Sequence, residues 1–77
     1  MTREEVLAVI EEGSEYNVAL HKAGILNQLG LDDTKENRKI LDPILAGLKE
    51  DGSIATYQLF DEEDGKFCGR GYAIKED

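Results

Sequence analysis

Two side chains of this sequence, His21 and Cys68, have the chemistry of metal ligands or nucleophiles. Each is the only residue of its type in the chain. A zinc site needs several Cys or His ligands at regular spacing, and a catalytic thiol needs a base beside it. The spacing of His21 and Cys68 offers neither. We therefore interpret both as structural residues, and we expect no enzyme activity, no cofactor and no bound metal.

The sequence also contains an acidic run whose carboxylates could bind a calcium ion, Asp61, Glu62, Glu63 and Asp64. A calcium-binding loop needs acidic residues at alternate positions, a glycine at the sixth position and a glutamate at the twelfth. The twelfth position counted from Asp61 is Tyr72, so this run does not fit a calcium loop. We interpret the four carboxylates as a solvated hairpin tip or, alternatively, as an interaction surface.

Cations gather in two places along a chain that is otherwise acidic. Lys35, Arg38 and Lys39 are spaced so that one helical turn presents all of them on one side, and Lys66 and Arg70 lie near the C-terminal glycines. The formal net charge of −8 opposes non-specific binding to nucleic acid or to anionic membranes. The alternatives for these five cations are a solvated surface and a set of phosphate contacts.

Three helical segments precede a hairpin. The apolar spacing predicts helices at about residues 3–12, 18–29 and 35–51, the first with a capping box formed by Thr2 and Glu5. Gly13 is predicted to stop the first helix, and an Asp32–Thr34 segment offers capping oxygens to the third. Pro43 removes a backbone donor inside the third segment, so we expect a break or sharp kink at Asp42.

Residues 54–74 are predicted to form the two-stranded antiparallel hairpin, because alternating apolar residues flank an Asp64-Gly65 pair. A two-residue turn at that pair places Tyr57 opposite Tyr72. The predicted core combines one face of this hairpin with the apolar stripes of the helices. It consists of Val6, Val9, Ile10, Leu26, Leu29, Leu41, Leu45, Leu48, Tyr57, Leu59, Tyr72 and Ile74.

The length and composition predict a single α+β domain over residues 1–77. Hydrophobic residues make up 40% of the chain and charged residues 34%, a balance typical of a folded domain. No apolar run approaches the roughly 20 residues of a membrane helix, and the N-terminus lacks the basic and apolar regions of a signal peptide. We expect a cytoplasmic protein without a membrane partner.

This order of elements resembles the winged helix-turn-helix superfamily over nearly the whole chain. The residues that carry the resemblance are Leu41-x3-Leu45-x2-Leu48-x3-Gly52-x-Ile54, which look like the end of a recognition helix entering the first wing strand. Residues 26–31 similarly resemble the end of the preceding helix and the glycine of the turn. The resemblance implies a winged-helix fold in which residues 54–74 form the wing, and it implies a DNA-binding transcriptional regulator, in some cases a homodimer.

Two functional hypotheses follow. In the first, Lys35, Arg38 and Lys39 approach the groove of duplex DNA while Lys66 and Arg70 contact flanking phosphate, giving weak, salt-sensitive binding. In the second, the fold is an acidic protein-interaction module or a nucleic-acid mimic that binds a basic protein partner. The residues of that second surface are Phe60, Phe67, Asp61, Glu62, Glu63 and Asp64. Whether the two phenylalanines are exposed or packed against the third helix is open at this point.

Overall fold

The computed structural model of the protein describes residues 1–60 and 63–75. Three helices come first, α1 (Arg3–Glu15), α2 (Lys22–Gln28) and α3 (Lys35–Glu50). The strands β1 (Ile54–Phe60) and β2 (Phe67–Ile74) then pair as an antiparallel hairpin. The predicted α+β layout is confirmed, and the shape is winged-helix-like.

The core lies where the three helices meet the base of the hairpin. Its fully buried side chains are Val6, Ile10, Ile25, Leu26, Leu41, Leu45, Leu48 and Ile54. Val9, Leu29, Tyr72 and Ile74 pack against them at partial burial, as predicted. Ile25 and Ile54 were absent from the predicted core, whereas Tyr57 and Leu59 were wrongly included: Tyr57 is exposed, and Leu59 is half-buried outside the core.

Helix α1 begins as predicted and ends later than predicted. Thr2 accepts the Glu5 N–H at 3.2 Å, and the Glu5 carboxylate accepts the Thr2 N–H at 3.0 Å, which completes the capping box. The helix continues through Gly13 to Glu15, so the predicted stop at Gly13 is wrong. Continuation brings Ser14 to the hairpin, where its Oγ accepts the Ile74 N–H at 2.9 Å.

Helix α2 begins at Lys22, four residues after its predicted start. The reason is a backbone bridge between Leu20 and Tyr72, in which the Leu20 N–H donates to the Tyr72 carbonyl at 3.0 Å and the Tyr72 N–H donates back at 2.8 Å. These antiparallel bonds use the backbone groups of Leu20 in an extended conformation, so the helix begins only after them. The bridge adds a rudimentary third strand beside β2.

Helix α3 is continuous from Lys35 to Glu50 with Pro43 inside it, so of the two predicted alternatives at Asp42, a break or a sharp kink, the break is wrong. Thr34 caps its start by accepting the Asn37 N–H at 3.1 Å. Pro43 is exposed on the solvent side of the helix, where water can reach the carbonyl that its missing N–H leaves free. On the opposite side, the buried leucines of α3 hold both halves of the helix against the same core.

The predicted hairpin register is wrong by one residue. The observed pairs are Ile54–Ile74, Ala55–Ala73, Thr56–Tyr72, Tyr57–Gly71, Gln58–Arg70 and Leu59–Gly69. Because side chains alternate between faces, a shift of one residue exchanges the faces of one strand. Tyr57 therefore lies opposite Gly71 and away from the core, and Ile54 takes the buried position at the start of β1.

The hairpin connection is also longer than the predicted two-residue turn. The ladder closes with Phe60 opposite Phe67, and the register shifts between Leu59 and Phe60, so that Cys68 is an extra residue on β2. Such a bulge bends the strand and increases its twist. The longer connection and the bulge explain why the Asp64-Gly65 pair misled the register prediction.

Candidate nucleic-acid interface

Cationic side chains from three elements line one shallow groove, which we call the cationic groove. Arg38 comes from the first half of α3, Arg70 from β2, and His21 and Lys22 from the start of α2; Ala23 and Tyr72 complete the lining. The DNA-binding hypothesis assigned Arg38 to the groove of the duplex and Arg70 to flanking phosphate. The fold brings them to the same groove, together with Lys22, which the sequence analysis did not identify.

The bridge between Leu20 and Tyr72 positions this groove. His21 and Lys22 follow Leu20 directly, and Arg70 precedes Tyr72 by two residues, so the paired backbones carry these side chains to the same place. The bridge depends on close backbone approach, because a Cβ built on Gly71 lies 2.8 Å from the Cβ of Ala19. Glycine is the residue type that leaves room for this contact.

Arg38 is held by a bidentate ion pair with Asp33. Its Nε donates to Oδ1 at 2.5 Å and its Nη2 donates to Oδ2 at 2.9 Å. These hydrogen bonds, reinforced by charge attraction, lower the pKa of Asp33 and raise the pKa of Arg38. Both side chains are exposed, so an incoming phosphate can replace the carboxylate as the partner of the guanidinium.

Lys22 is paired with Asp42 of α3, with 2.6 Å between Nζ and Oδ1. This pair links the start of α2 to the middle of α3 at the edge of the cationic groove. Asp33 and Asp42 thus compensate two of the cations there, while Arg70 has no ion pair within residues 1–60 and 63–75. Among the described residues, Arg70 therefore adds positive charge to the groove without a carboxylate partner.

Lys35 and Lys39 add two cations along α3, where Glu36 and Asp42 are also exposed. Both are exposed in the first turns of the helix, on the side adjacent to Arg38. Neither forms an ion pair with any side chain in the described parts of the chain. The N-terminal half of α3 consequently presents two ammonium groups, without an ion pair to any described residue, beside a guanidinium that is already oriented.

The hairpin tip carries mixed charge and lies apart from this surface. The Asp64 carboxylate accepts the Lys66 N–H at 2.9 Å and lies 3.9 Å from its Nζ, so Lys66 is partly compensated. Glu63 and Asp64 are exposed, as expected of a tip. The other two acidic residues proposed for the interaction surface, Asp61 and Glu62, lie outside the described residues.

Phe60 and Phe67 form an exposed aromatic pair at the end of the ladder. Their ring centroids are 5.9 Å apart with an interplanar angle of 65°, an edge-to-face arrangement. Phe60 is 56% exposed and Phe67 57%, so of the two alternatives left open by the sequence the rings take the exposed one. They lie opposite each other instead of diagonally as predicted.

Of the two residues with nucleophile or ligand chemistry, His21 has a described side chain. His21 is exposed and sits before the first residue of α2, with its ring beside Gly69. The side chain of Cys68 lies outside the described part of the chain. Within residues 1–60 and 63–75, no three His, Cys, Asp or Glu side chains are grouped as a metal site would require.

Lys22, two residues after Leu20, was missed because the predicted helix from residue 18 gave no reason to place it beside Arg38 and Arg70. None of the described helices combines the length and apolar character needed to cross a bilayer.

Comparison with family models, with curated proteins and with solved structures finds no significant match to this chain.

Proposed function

We propose that this protein is a winged-helix DNA-binding protein, most simply a transcriptional regulator. The observation that carries the proposal is the cationic groove, where Arg38 of α3, Arg70 of the hairpin and Lys22 of α2 converge. In a DNA-binding protein of this layout, a helix and a wing contact one stretch of duplex together, so cations from both elements should share a surface. Membership of the winged-helix superfamily is part of this proposal.

Helix α3 is the element that enters the major groove in this proposal. A helix with its side chains is roughly 10–12 Å wide, and the major groove of B-DNA is about 12 Å wide. The leucines of α3 face the core, so the helix can offer Lys35 and Lys39 to the DNA without losing buried surface. Arg70, and Lys66 beyond it, then contact phosphates that flank the groove.

Arg38 changes partner in this mechanism. In the free protein Asp33 holds both of its guanidinium donors. A phosphate oxygen pair offers the same bidentate geometry and replaces Asp33 without moving the arginine far. Asp33 therefore keeps Arg38 oriented before binding, and it also competes with DNA for the same donors.

The net charge sets the strength of binding. A chain with a net charge of −8 is repelled by DNA at long range, so only the local positive surface attracts the duplex. Contacts from Lys35, Arg38, Lys39, Lys66 and Arg70 would release counterions and give a log–log salt slope of about −4.5. We expect binding at low salt that is lost at moderate salt.

Fluorescence anisotropy of a labelled duplex, titrated with protein over a range of salt concentrations, tests the proposal. Lys39→Ala and Arg70→Ala should each flatten the salt slope by about 0.9, one phosphate contact apiece. Lys49→Ala is the matched control, because Lys49 is an exposed cation in the last turn of α3, away from the groove. Absence of duplex binding by the unaltered protein at low salt would refute DNA binding.

Asp33→Asn sharpens the test because it moves affinity in the opposite direction. The substitution removes the carboxylate that competes for Arg38 and makes the local charge more positive, so duplex affinity should rise. Asp32→Asn makes the same charge change at the neighbouring residue, which has no bond to Arg38 from its carboxylate in the described structure. Equal gains in the two variants would show that Arg38 has no special role.

The exposed aromatic pair favours a second candidate function, an acidic interaction module. Phe60 and Phe67 lie beside Glu63 and Asp64, so the tip combines an apolar anchor with negative charge. Aromatic anchors surrounded by polar residues are typical of interface hot spots. If the protein binds no duplex, this candidate predicts that a synthetic lysine- and leucine-rich peptide binds it, and that Phe60→Ala with Phe67→Ala abolishes that binding.

A further inference from the structure

Strand β1 has a free outer edge. In the described sheet it pairs with β2 alone, because β2 lies between β1 and the bridge at Leu20. An edge strand presents a row of backbone N–H and C=O groups to which another strand can bond. Which backbone N–H and C=O groups of β1 point outward follows from the hydrogen bonds of β2.

The hydrogen bonds of Tyr72 identify the outward groups. Its N–H and C=O both bond to Leu20, on the side of β2 that faces away from β1. Backbone groups of successive residues in an antiparallel strand point to alternate sides, so Thr56, opposite Tyr72, directs its own groups away from β2. The same alternation directs the N–H and C=O of Gln58 outward, and Gln58 is exposed.

This edge lacks the features that usually prevent strand addition. Residues 52–60 contain no charged side chain and no proline, although charged residues make up 34% of the chain. Natural edge strands are commonly protected by lysine, by proline or by a bulge that twists the edge away. The bulge of this hairpin is on β2, so it leaves the outer edge of β1 available for pairing.

Two large side chains of β1 are exposed beside the edge. Tyr57 is 42% exposed and Phe60 56% exposed. In an antiparallel ladder the side chains of directly opposite residues contact one another on each face. A strand added to β1 would therefore cover aromatic surface on both faces of the sheet as well as satisfy the backbone groups.

We propose that a second copy of this chain pairs with β1 along its outer edge, giving a symmetric dimer with one continuous sheet. The pairing is antiparallel and centred on Gln58, so that Gln58 lies opposite its counterpart and Thr56 lies opposite Phe60 of the second copy. A two-fold axis makes a single strand complementary to itself. Tyr57 then packs beside Leu59 of the second copy on the other face.

Charge selects the antiparallel orientation and favours a second copy as the occupant. A parallel pair would bring the two acidic tips together. In the antiparallel ladder the two Phe60 residues are already roughly 14 Å apart at about 3.4 Å per residue, beyond the Debye length of about 8 Å. Residues 56–60 carry no charge, so no like charges lie opposite each other in the paired segment, although each chain has a net charge of −8.

Sedimentation velocity from micromolar to millimolar concentration, with Gln58→Pro and Gln58→Lys, tests this dimer. Proline removes only an outward donor, so it should spare the β1–β2 ladder and raise the dimer dissociation constant about thirtyfold by removing both hydrogen bonds of the central pair. Lysine places like charges opposite each other and should raise that constant about fivefold. Circular dichroism checks that both variants remain folded.

Gln28→Lys is the matched control, because it makes the same change at an exposed position of α2. Gln28→Lys and Gln58→Lys change the net charge equally. Only Gln58→Lys places that charge in the paired strand, so only Gln58→Lys should weaken association. Amide hydrogen exchange of the unaltered protein adds a direct readout, with protection of Thr56, Gln58 and Phe60 on dimerisation. A monomer at millimolar concentration, equal association of the two lysine variants, or a dimer with these amides unprotected would overturn the proposal, whatever the outcome for DNA.

Discussion

The base and the tip of the hairpin differ sharply in how they are held. At the base, Ile54 is 2% exposed, and Tyr72 exchanges two backbone hydrogen bonds with Leu20. At the tip, Phe60 and Phe67 are more than half exposed and contact each other. The same two strands thus run from a region fixed by the helices to a region whose apolar surface is available to a partner.

The difference shows how stability and binding are divided within one small hairpin. The base depends on close packing, because β2 approaches the segment before α2 so tightly that Gly71 has no room for a side chain. At the tip, the described structure shows the two rings paired across the ladder and largely exposed. Substitutions at the base should therefore change folding, and substitutions at the tip should change association.

Ile54→Ala should give the largest effect. Removing a fully buried isoleucine costs about 2–5 kcal/mol of unfolding free energy, a large share of the total for a domain of this size. Phe60→Ala, in the same strand, removes a larger side chain but should cost no more than about 1 kcal/mol because the ring is mostly exposed. Urea denaturation of both variants measures the contrast.

If Ile54→Ala does not fold, Ile54→Val keeps the comparison measurable, with an expected loss of about 0.5–1.5 kcal/mol. Equal losses for the Ile54 and Phe60 variants would contradict the distinction between base and tip.

Gly71→Ala tests the close approach at the base. A Cβ there meets the Ala19 side chain at 2.8 Å and the Ala19 backbone carbonyl at 3.0 Å, so the strand must shift, at a cost of about 1–3 kcal/mol. Adding Ala19→Gly should recover only part of this loss, because the carbonyl contact remains. Gly47→Ala is the control, since the added methyl meets open space in α3 and should stabilise the helix by about 0.5–1 kcal/mol.

Thermal unfolding of the three variants decides the point. Full recovery in the double variant would show that the methyl–methyl contact alone explains the requirement for glycine at position 71.

The element types were predictable from local signals, and the register was not. The capping box at Thr2 and the leucine spacing of α3 are short-range patterns, and both correspond to observed helices. The register depends on the whole connection between the strands, including the extra residue Cys68, which no single dipeptide reports. A shift of one residue then reversed the assignment of Tyr57 from core to surface.

The start of α2 and the course of α3 show a second limit. Leu20 reads as helical in sequence, but its backbone groups are taken by Tyr72, which is distant in the chain. Pro43 predicts a break, yet its exposed position and the buried leucines around it let α3 continue. In both cases tertiary contacts outweigh local propensity.

The candidate site was predictable in part. The clustering of Lys35, Arg38 and Lys39 follows from helical spacing, and α3 places them as expected. The convergence of Arg38 with Arg70 depends on the bridge at Leu20 and could not be read from spacing. The pairing of Arg38 with Asp33 was also missed, although the two residues lie close in sequence.

Phe60→Ala combined with Phe67→Ala tests the tip by itself. The pair contributes an edge-to-face contact and the partial burial of two rings, so we expect a loss of about 2 kcal/mol in unfolding free energy at low protein concentration. Self-association should weaken much more, because Phe60 lies in the proposed dimer ladder. A loss of several kcal/mol would show that the rings are core residues, and unchanged association would show that they take no part in binding.

Asp33→Asn should give the smallest change in stability. Asp33 is exposed and, like the residues of the hairpin tip, should contribute little to folding. Its hydrogen bonds to Arg38 lower the pKa of Asp33 from its ordinary value of 3.8, so the folded state favours the charged carboxylate. The resulting stabilisation is fully present above pH 3.8 and is lost as the pH falls through the lowered pKa. The difference in melting temperature between the unaltered protein and the variant should therefore be small at neutral pH, shrink toward zero in acid, and shrink with added salt.

Asp32→Asn controls for the change in net charge. A difference that persisted unchanged into strong acid would mean that the Asp33 carboxylate does not stabilise the fold through its charge, and Arg38 would then be free to bind phosphate without first giving up a partner.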